Sequence, residues 1–298
     1  MSISVNNLSK SYKTLKAVDD VSFEVNDGEL FGLIGPDGAG KTTIFRILTT
    51  LLFANEGTAT VSNLDVVKDY KAIRNSVGYM PGKFSLYQDL TVEENLKFFA
   101  TIFGTTIAEN YELIKDIYIQ IEPFKTRRAG ALSGGMKQKL ALCCALIHAP
   151  KILFLDEPTT GVDPVSRKEF WIMLKRLQQK GITILVSTPY MDEASLCDRI
   201  ALIQKGKIQK IDTPNNIIAD YDKVIYEVKT KNMHQLILDL KNYPSCYSVY
   251  AFGEFIHYID KKVDFNPKDL NDYLKNKNQT DIVIKPATIT IEDVFMDL

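Results

Sequence analysis

The residues best equipped for chemistry fall in two short stretches, and both suit the oxygens of a polyphosphate. In "GLIGPDGAGKTTIF", Gly35 is followed by four residues and then by Gly40, Lys41 and Thr42. Placed between an apolar run and a helical pattern, that spacing is what a phosphate-binding loop needs. Along Gly35, Pro36, Asp37, Gly38, Ala39 and Gly40 the glycines let the backbone curl, so that successive N–H groups point at the phosphates. Lys41 can then reach the β and γ oxygens, the Thr42 hydroxyl can ligate a magnesium ion, and Thr43 carries the chain into the helix. In "KILFLDEPTTGVDP", apolar residues deliver Asp156 to the end of a buried strand, where its carboxylate can hold magnesium through water. Glu157 follows at once and can orient or deprotonate an attacking water, the role of a general base. A third stretch, "GALSGGMKQKLALCCALI", opens an apolar helix at Ser133, Gly134 and Gly135, and such an N-terminus offers free N–H groups and partial positive charge. Alone it reads as a good cap; upstream of Asp156 it becomes a phosphate contact.

These residues need a rigid frame, and the first 212 residues supply the pattern for one. Short β-branched or apolar runs ("ISVNNLSKSY", "VSFEV", "ELFGLIG", "KILFLDEP", "ITILVST", "RIALIQKGKI") alternate with helical segments. Strands apolar along their length and separated by helices indicate a central, mostly parallel sheet buried on both faces. Thr213-Pro214 punctuates the chain. Beyond it, "VIYEVKT", a helix near Met233 to Leu240, "CYSVYAF", "FIHYID", a helix near Pro267 to Lys275 and "DIVIKPATITIEDVF" read as β-α-β-β-α-β, a small ferredoxin-like appendage. The expected fold class is therefore α/β, with a domain over residues 1–215, a helical subdomain at about 84–148, and an α+β accessory domain over 221–298.

With 298 residues and 45% hydrophobic content, the chain can bury a large core. Thirty-six basic and 37 acidic residues leave a net charge of -1, which offers no bulk attraction to nucleic acid or to an anionic membrane. The irregular spacing of Cys143, Cys144, Cys197 and Cys246 points to reduced core thiols in a cytoplasmic setting. "MSISVNNLSKSY" has no apolar signal core, and the longest apolar run, "LALCCALI", falls far short of the ~20 residues that span a bilayer. The chain itself is not expected to cross a membrane.

Taken together, the motifs resemble those of the ATP-binding cassette (ABC) family. "GPDGAGKTT" looks like its Walker A loop, "ALSGGMKQ" its signature, "ILFLDEP" its Walker B and "TTGVDP" its D-loop, which carries Asp163; Tyr12 in "SKSYKTLKAVDD" matches the aromatic that stacks on adenine. The resemblance covers about residues 1 to 215. It implies ATP with Mg2+ as the ligand, and two cassettes packed head to tail, each signature helix capping the γ-phosphate held by the other, as a homo- or heterodimer. It also implies separate transmembrane permease subunits, with this chain peripheral on the inner face of the cell membrane. "ATITIEDVFMDL" resembles the ending of cassettes from the drug-export and daunorubicin-resistance branch.

Two positions depart from the family pattern. Where a Gln is expected after Met80-Pro81 the sequence has Gly82, and where the switch region has a His it has Pro189, which carries neither a side-chain donor nor a backbone N–H. Removing one preorganised contact at a reacting centre costs about 10²- to 10³-fold in rate. The expectation is intact ATP binding with hydrolysis that is slow or dependent on a partner, the sensing role passing to a second cassette or to Thr188, Tyr190 or Gln88. Phe84, Leu86, Tyr87, Leu90, Leu96, Phe98, Phe99 and Phe103 crowd the same region. Most are expected to be core, and the rest to form a cleft that receives a helix of the permease. The competing readings are a non-hydrolysing ATP-dependent clamp and a soluble ABC protein without a permease.

Overall fold

The computed structural model describes all 298 residues, and its backbone contacts divide the chain into two units, Met1–Pro214 and Asn215–Leu298. In the first unit the strands β1 (Ile3–Tyr12), β2 (Leu15–Val25) and β3 (Leu30–Ile34) precede helix α1 (Lys41–Leu48). Then come β4 (Glu56–Val61), β5 (Leu64–Asp65), α2 (Tyr70–Ser76), β6 (Val77–Met80), α3 (Val92–Ile102), α4 (Tyr111–Tyr118) and α5 (Gly134–Leu146). The unit finishes with β7 (Ile152–Asp156), α6 (Pro164–Gln179), β8 (Thr183–Thr188), β9 (Arg199–Gln204) and β10 (Lys207–Asp212).

A six-stranded sheet runs in the order β10-β9-β3-β8-β7-β6, parallel throughout except for the antiparallel edge strand β10. Every residue of β3, β7 and β8 is buried, the continuous apolar pattern of strands covered on both faces. The three lie side by side, so their C-terminal ends present Ile34-Gly35, Asp156 and Thr188 along one edge. The two N-terminal strands do not join this sheet. They form a separate antiparallel sheet, β2-β1-β4-β5, because β2 alternates buried and exposed residues and a half-covered strand suits a one-sided sheet. Phe45 packs edge-to-face on Phe154 at 6.1 Å between α1 and β7, within the core formed by this sheet and its helices.

Three helices near the site begin on strong caps. Ser133 and Asp163 accept bonds from Met136 N and Ser166 N to start α5 and α6, and Thr91 forms a capping box with Glu94 at α3. All four cysteines are free; Cys143, Cys144 and Cys197 are buried and Cys246 is half-buried. No helix is long and apolar enough to cross a membrane.

Helix α7 (Pro214–Ala219) starts at the boundary, and the second unit continues through β11 (Ile225–Lys229), α8 (Met233–Lys241), β12 (Cys246–Phe252), β13 (Phe255–Asp260), α9 (Pro267–Asn276), β14 (Val283–Pro286) and α10 (Ile291–Asp297). Its antiparallel sheet has the order β12-β13-β11-β14, the split arrangement of a ferredoxin-like β-α-β-β-α-β unit. Val228, Leu236, Leu240, Ile256, Leu270 and Leu274 fill the space between sheet and helices. One expectation is corrected: "TITIEDVF" does not extend the last strand. Thr290 and Asp293 form a capping box, and the chain turns into α10.

Candidate active site

The strand β3 delivers Gly35, and the loop to α1 leaves Pro36, Asp37 and Gly38 exposed between buried flanks. Gly40 caps α1 at φ +105°, and a Cβ there would lie 2.3 Å from the carbonyl oxygen of Ala17, so only glycine fits. Lys41 is 3% exposed. Its Nζ donates to Gly35 O at 2.7 Å and Pro36 O at 3.0 Å, and pairs with Glu157 Oε1 at 3.1 Å. The ammonium is thereby fixed under the loop instead of extending into solvent.

Asp156 is 2% exposed and sits beside Thr42, whose Oγ1 donates to its Oδ1 at 3.2 Å. Ser187 Oγ donates to the same oxygen at 2.7 Å, as the register pairing Asp156 with Ser187 requires. Burial pushes the Asp156 carboxyl up from its ordinary value, and these two hydrogen bonds pull against that rise. Glu157 adopts φ +51°, a left-handed conformation uncommon for a residue with a side chain. Its N–H is held there by Ser187 Oγ at 3.0 Å and Ser187 O at 3.1 Å. Strain of this kind persists where the surroundings over-determine it, and it clusters at functional sites. A hydroxyl and a carboxylate side by side are hard oxygen donors, so Thr42 and Asp156 fit a magnesium ion.

Lys41, Thr42, Asp156 and Glu157 thus converge, while the other expected contacts lie apart from them. Tyr12 ends β1 with 42% of its surface exposed, and its ring is approached by Lys10 Nζ at 5.9 Å. Ser133 and Gly134 are exposed at the start of α5. A Cβ on Gly135 would meet Ser166 Oγ at 2.7 Å, so the signature residues pack against the helix that Asp163 caps. The N–H of Ser166 holds the Asp163 carboxyl below its ordinary range. None of these residues hydrogen-bonds to the Lys41 cluster.

The two departures have structural consequences. A Cβ on Gly82 would stand 3.0 Å from Asp156 O and 3.8 Å from Glu157 Cβ, so glycine lets this loop lie against the Asp156–Glu157 peptide. Of the residues expected to take over the sensing role, two are already engaged. Thr188 is fully buried; its Oγ1 donates to Glu193 Oε2 at 2.5 Å and accepts from Tyr190 N at 3.0 Å. The Tyr190 ring stacks under the Arg167 guanidinium at 4.0 Å. Gln88 is exposed, and its carbonyl accepts from Gly130 N. Sequence reading missed Ser187 and Glu193. Both lie in the switch region around Pro189, in "ITILVST" and "PYMDEA", and only the strand register shows that Ser187 faces Asp156 while its neighbour Thr188 faces the other way.

The aromatic stretch is less buried than expected: of its eight residues only two belong to the core, while Phe84, Leu90, Phe99 and Phe103 are half-buried. Leu86 and Leu96 are buried. Phe84, Phe99 and Phe103 line a cavity of about 190 Å³ with Met80, Pro81 and His148. Tyr87 and Phe98, exposed by 50% and 37%, stack edge-to-face at 4.8 Å. The larger cavity, about 540 Å³, follows the outer side of α6 past Trp171 and Ile172 and contains none of the expected catalytic residues.

Residues 18–160 match the model of the ABC transporter family. The chain is 42% identical over 219 residues to the probable multidrug ABC transporter ATP-binding protein YbhF of Escherichia coli (strain K12), across 73% of this chain and 38% of that protein. It therefore spans well under half the length of that relative. It is 33% identical over 295 residues to the Nod factor export ATP-binding protein I of Mesorhizobium japonicum, across 98% of this chain and 84% of the relative. Among solved structures it resembles an ATP-binding subunit of an ABC transporter (TM-score 0.67, 27% identity, 74% of this chain and 92% of that one). A dimeric bacterial ABC transporter cassette gives a TM-score of 0.64 at 25% identity, with 71% of this chain and 98% of that one covered. The phosphate loop, the acidic strand end, the parallel sheet that joins them and a relative matched across 98% of this chain agree: the chain belongs to the ATP-binding subunits of ABC transporters.

Proposed function

We propose that the chain is the ATP-hydrolysing subunit of an ABC exporter, and that nucleotide-driven closure of a cassette dimer moves separate permease subunits. The observation that carries this reading is the convergence of Lys41, Thr42, Asp156 and Glu157 at neighbouring strand ends, joined by contacts of 3.1 and 3.2 Å. Lys41 draws the β and γ oxygens of ATP into the loop, and Thr42 and Asp156 hold Mg2+. Mg2+ held there would neutralise charge developing on the transferring phosphoryl group. Glu157 orients the attacking water and accepts its proton. To meet that water, Glu157 exchanges Lys41 for it as the phosphates take up the ammonium.

Within one chain Ser133, Gly134 and Asp163 are exposed and make no hydrogen bond to this cluster, which supports a site completed by a second cassette. Tyr12, exposed at a strand end, is the candidate platform for adenine. The cleft around Phe84, with Tyr87 and Phe98 at its edge, is the candidate seat of a permease helix, and docking there would bring the chain to the membrane. The second unit is an accessory domain. With Gly82 and Pro189 in place of side chains that would reach the γ-phosphate, turnover is slow, below the roughly 10 per second that is typical of enzymes. The clamp reading is disfavoured by Glu157, which is held in a strained backbone conformation that a mere ATP clamp does not require. The test is phosphate release by the chain beside its Glu157→Gln variant: release that depends on Glu157 supports hydrolysis at this site.

A further inference from the structure

Glu193 is a carboxylate buried to 2% exposure that the reaction as described does not use. It accepts three kinds of hydrogen bond from three different elements. Thr188 Oγ1, at the end of β8, reaches Oε2 at 2.5 Å. Thr159 Oγ1, in the segment leading from Glu157 to Asp163, reaches the same oxygen at 3.1 Å. Arg167 of α6 donates Nε to Oε1 at 3.1 Å while its guanidinium lies on the Tyr190 ring at 4.0 Å.

We infer that Glu193 is a positioning residue for ATP hydrolysis, tying the segment Thr159–Asp163 to the strand end that braces Asp156 and Glu157. The inference rests on the ATPase reading above and adds how its site is held. Both threonines share one oxygen, so neither segment moves without loading or breaking the other's bond. Ser187, next to Thr188 in the chain, carries that constraint to Asp156 and to the Glu157 N–H. Pro189 cannot anchor this loop to a phosphate through a side chain; Glu193 anchors it from behind. Arg167 fixes the second carboxylate oxygen, so the group has one orientation in which all donors are met. A fully satisfied buried polar network specifies a single arrangement.

The test uses the full chain with Glu193→Ala, Glu193→Gln and Thr159→Val. Displacing reacting groups by about 1 Å costs on the order of 10²-fold in rate, so Glu193→Ala is expected to lower kcat about 10- to 100-fold while ATP affinity stays at the wild-type value. Glu193→Gln, which keeps an oxygen for the two threonines, recovers part of that loss. Thr159→Val lowers kcat by itself, and combined with Glu193→Ala it adds nothing further, as residues of one network behave. Amide exchange supplies a readout independent of turnover: Glu193→Ala loosens residues 159–163 and 188–192 together. An unchanged kcat in Glu193→Ala and in Thr159→Val, multiplicative effects of the two, or loosening confined to residues 188–192 would overturn the inference. Should Glu193→Ala not fold, the Glu193→Gln and Thr159→Val pair reads the same coupling. Wild-type chain that binds ATP and releases no phosphate would strike the ATPase reading instead, while the exchange result still decides the positioning role.

Discussion

Replacing Gly82 with Gln would put back the side chain usual in this family, and the geometry predicts slower turnover as the result. The new Cβ would stand 3.0 Å from Asp156 O, where close C–H···O contacts run at about 3.3–3.6 Å. The obstacle is backbone at the end of β7, and the next N–H is bonded twice to Ser187, so relief comes from moving the Asp156–Glu157 peptide. Overpacking of this kind costs about 1–3 kcal/mol, offset by about 0.4–1 kcal/mol because the unfolded chain loses the freedom of glycine. A net cost near 1 kcal/mol lowers the melting temperature by about 2–4 °C in a unit of this size. If a displacement of 1 Å at a reacting centre costs about 10²-fold, a few tenths of an ångström costs about 3- to 10-fold. The assay is phosphate release beside thermal melting, with Gly82→Ala as the companion that brings the same Cβ without an amide. Both variants are expected to melt earlier and turn over more slowly. A Gln variant that turned over faster than wild type, with an Ala variant that did not, would refute the steric reasoning and show that the amide reaches the phosphate.

Two further outcomes follow from other parts of the molecule. In the second unit, burial works against the Asp293 carboxylate, but hydrogen bonds from His257 Nδ1 at 2.6 Å, Thr290 and Tyr250 outweigh it and hold the carboxyl below the ordinary aspartate range. A depressed carboxyl contributes stability above its unfolded pKa and loses it as pH falls through the folded pKa. Removing a donor with His257→Leu raises the folded value, so loss begins at higher pH. At neutral pH the change costs about 1.5–3 kcal/mol, and both effects are read as faster amide exchange in Ile291–Asp297. At the cleft, Phe84→Ser with Tyr87→Ser removes two aromatics worth about 1.5–3 kcal/mol each when buried. Membrane association should then weaken by at least about 10²-fold with ATP affinity unchanged; retained association would sink the docking assignment.

The candidate site was legible because the residues proposed for its chemistry lie in contiguous stretches. The spacing from Gly35 to Thr42 and the pair Asp156-Glu157 each carry their own strand end, so locating the strands located the groups. Glu193 was not legible, since an acidic residue in "YMDEA" looks like a solvated turn until Thr159, Thr188 and Arg167, distant in sequence, close around it. The same limit explains Thr188 and Tyr190: as types they could sense phosphate, but their partners lie elsewhere in the fold and already engage them. For β1 and β2, periodicity identified strands and gave no sign of the sheet they join. At the C-terminus β-branched residues suggested a strand through Phe295, whereas the Thr290–Asp293 capping box decided for helix.

The most direct measurement is phosphate release from magnesium ATP by the full chain and its Glu157→Gln variant, with ATP binding followed in the same samples. The account predicts slow release from the wild type and none from the variant. It also predicts ATP held at least as tightly by the variant, because the exchange frees Lys41 from the ion pair at 3.1 Å. Equal release from both proteins would contradict the assignment of Glu157, and with it the claim that this cluster is the hydrolytic site.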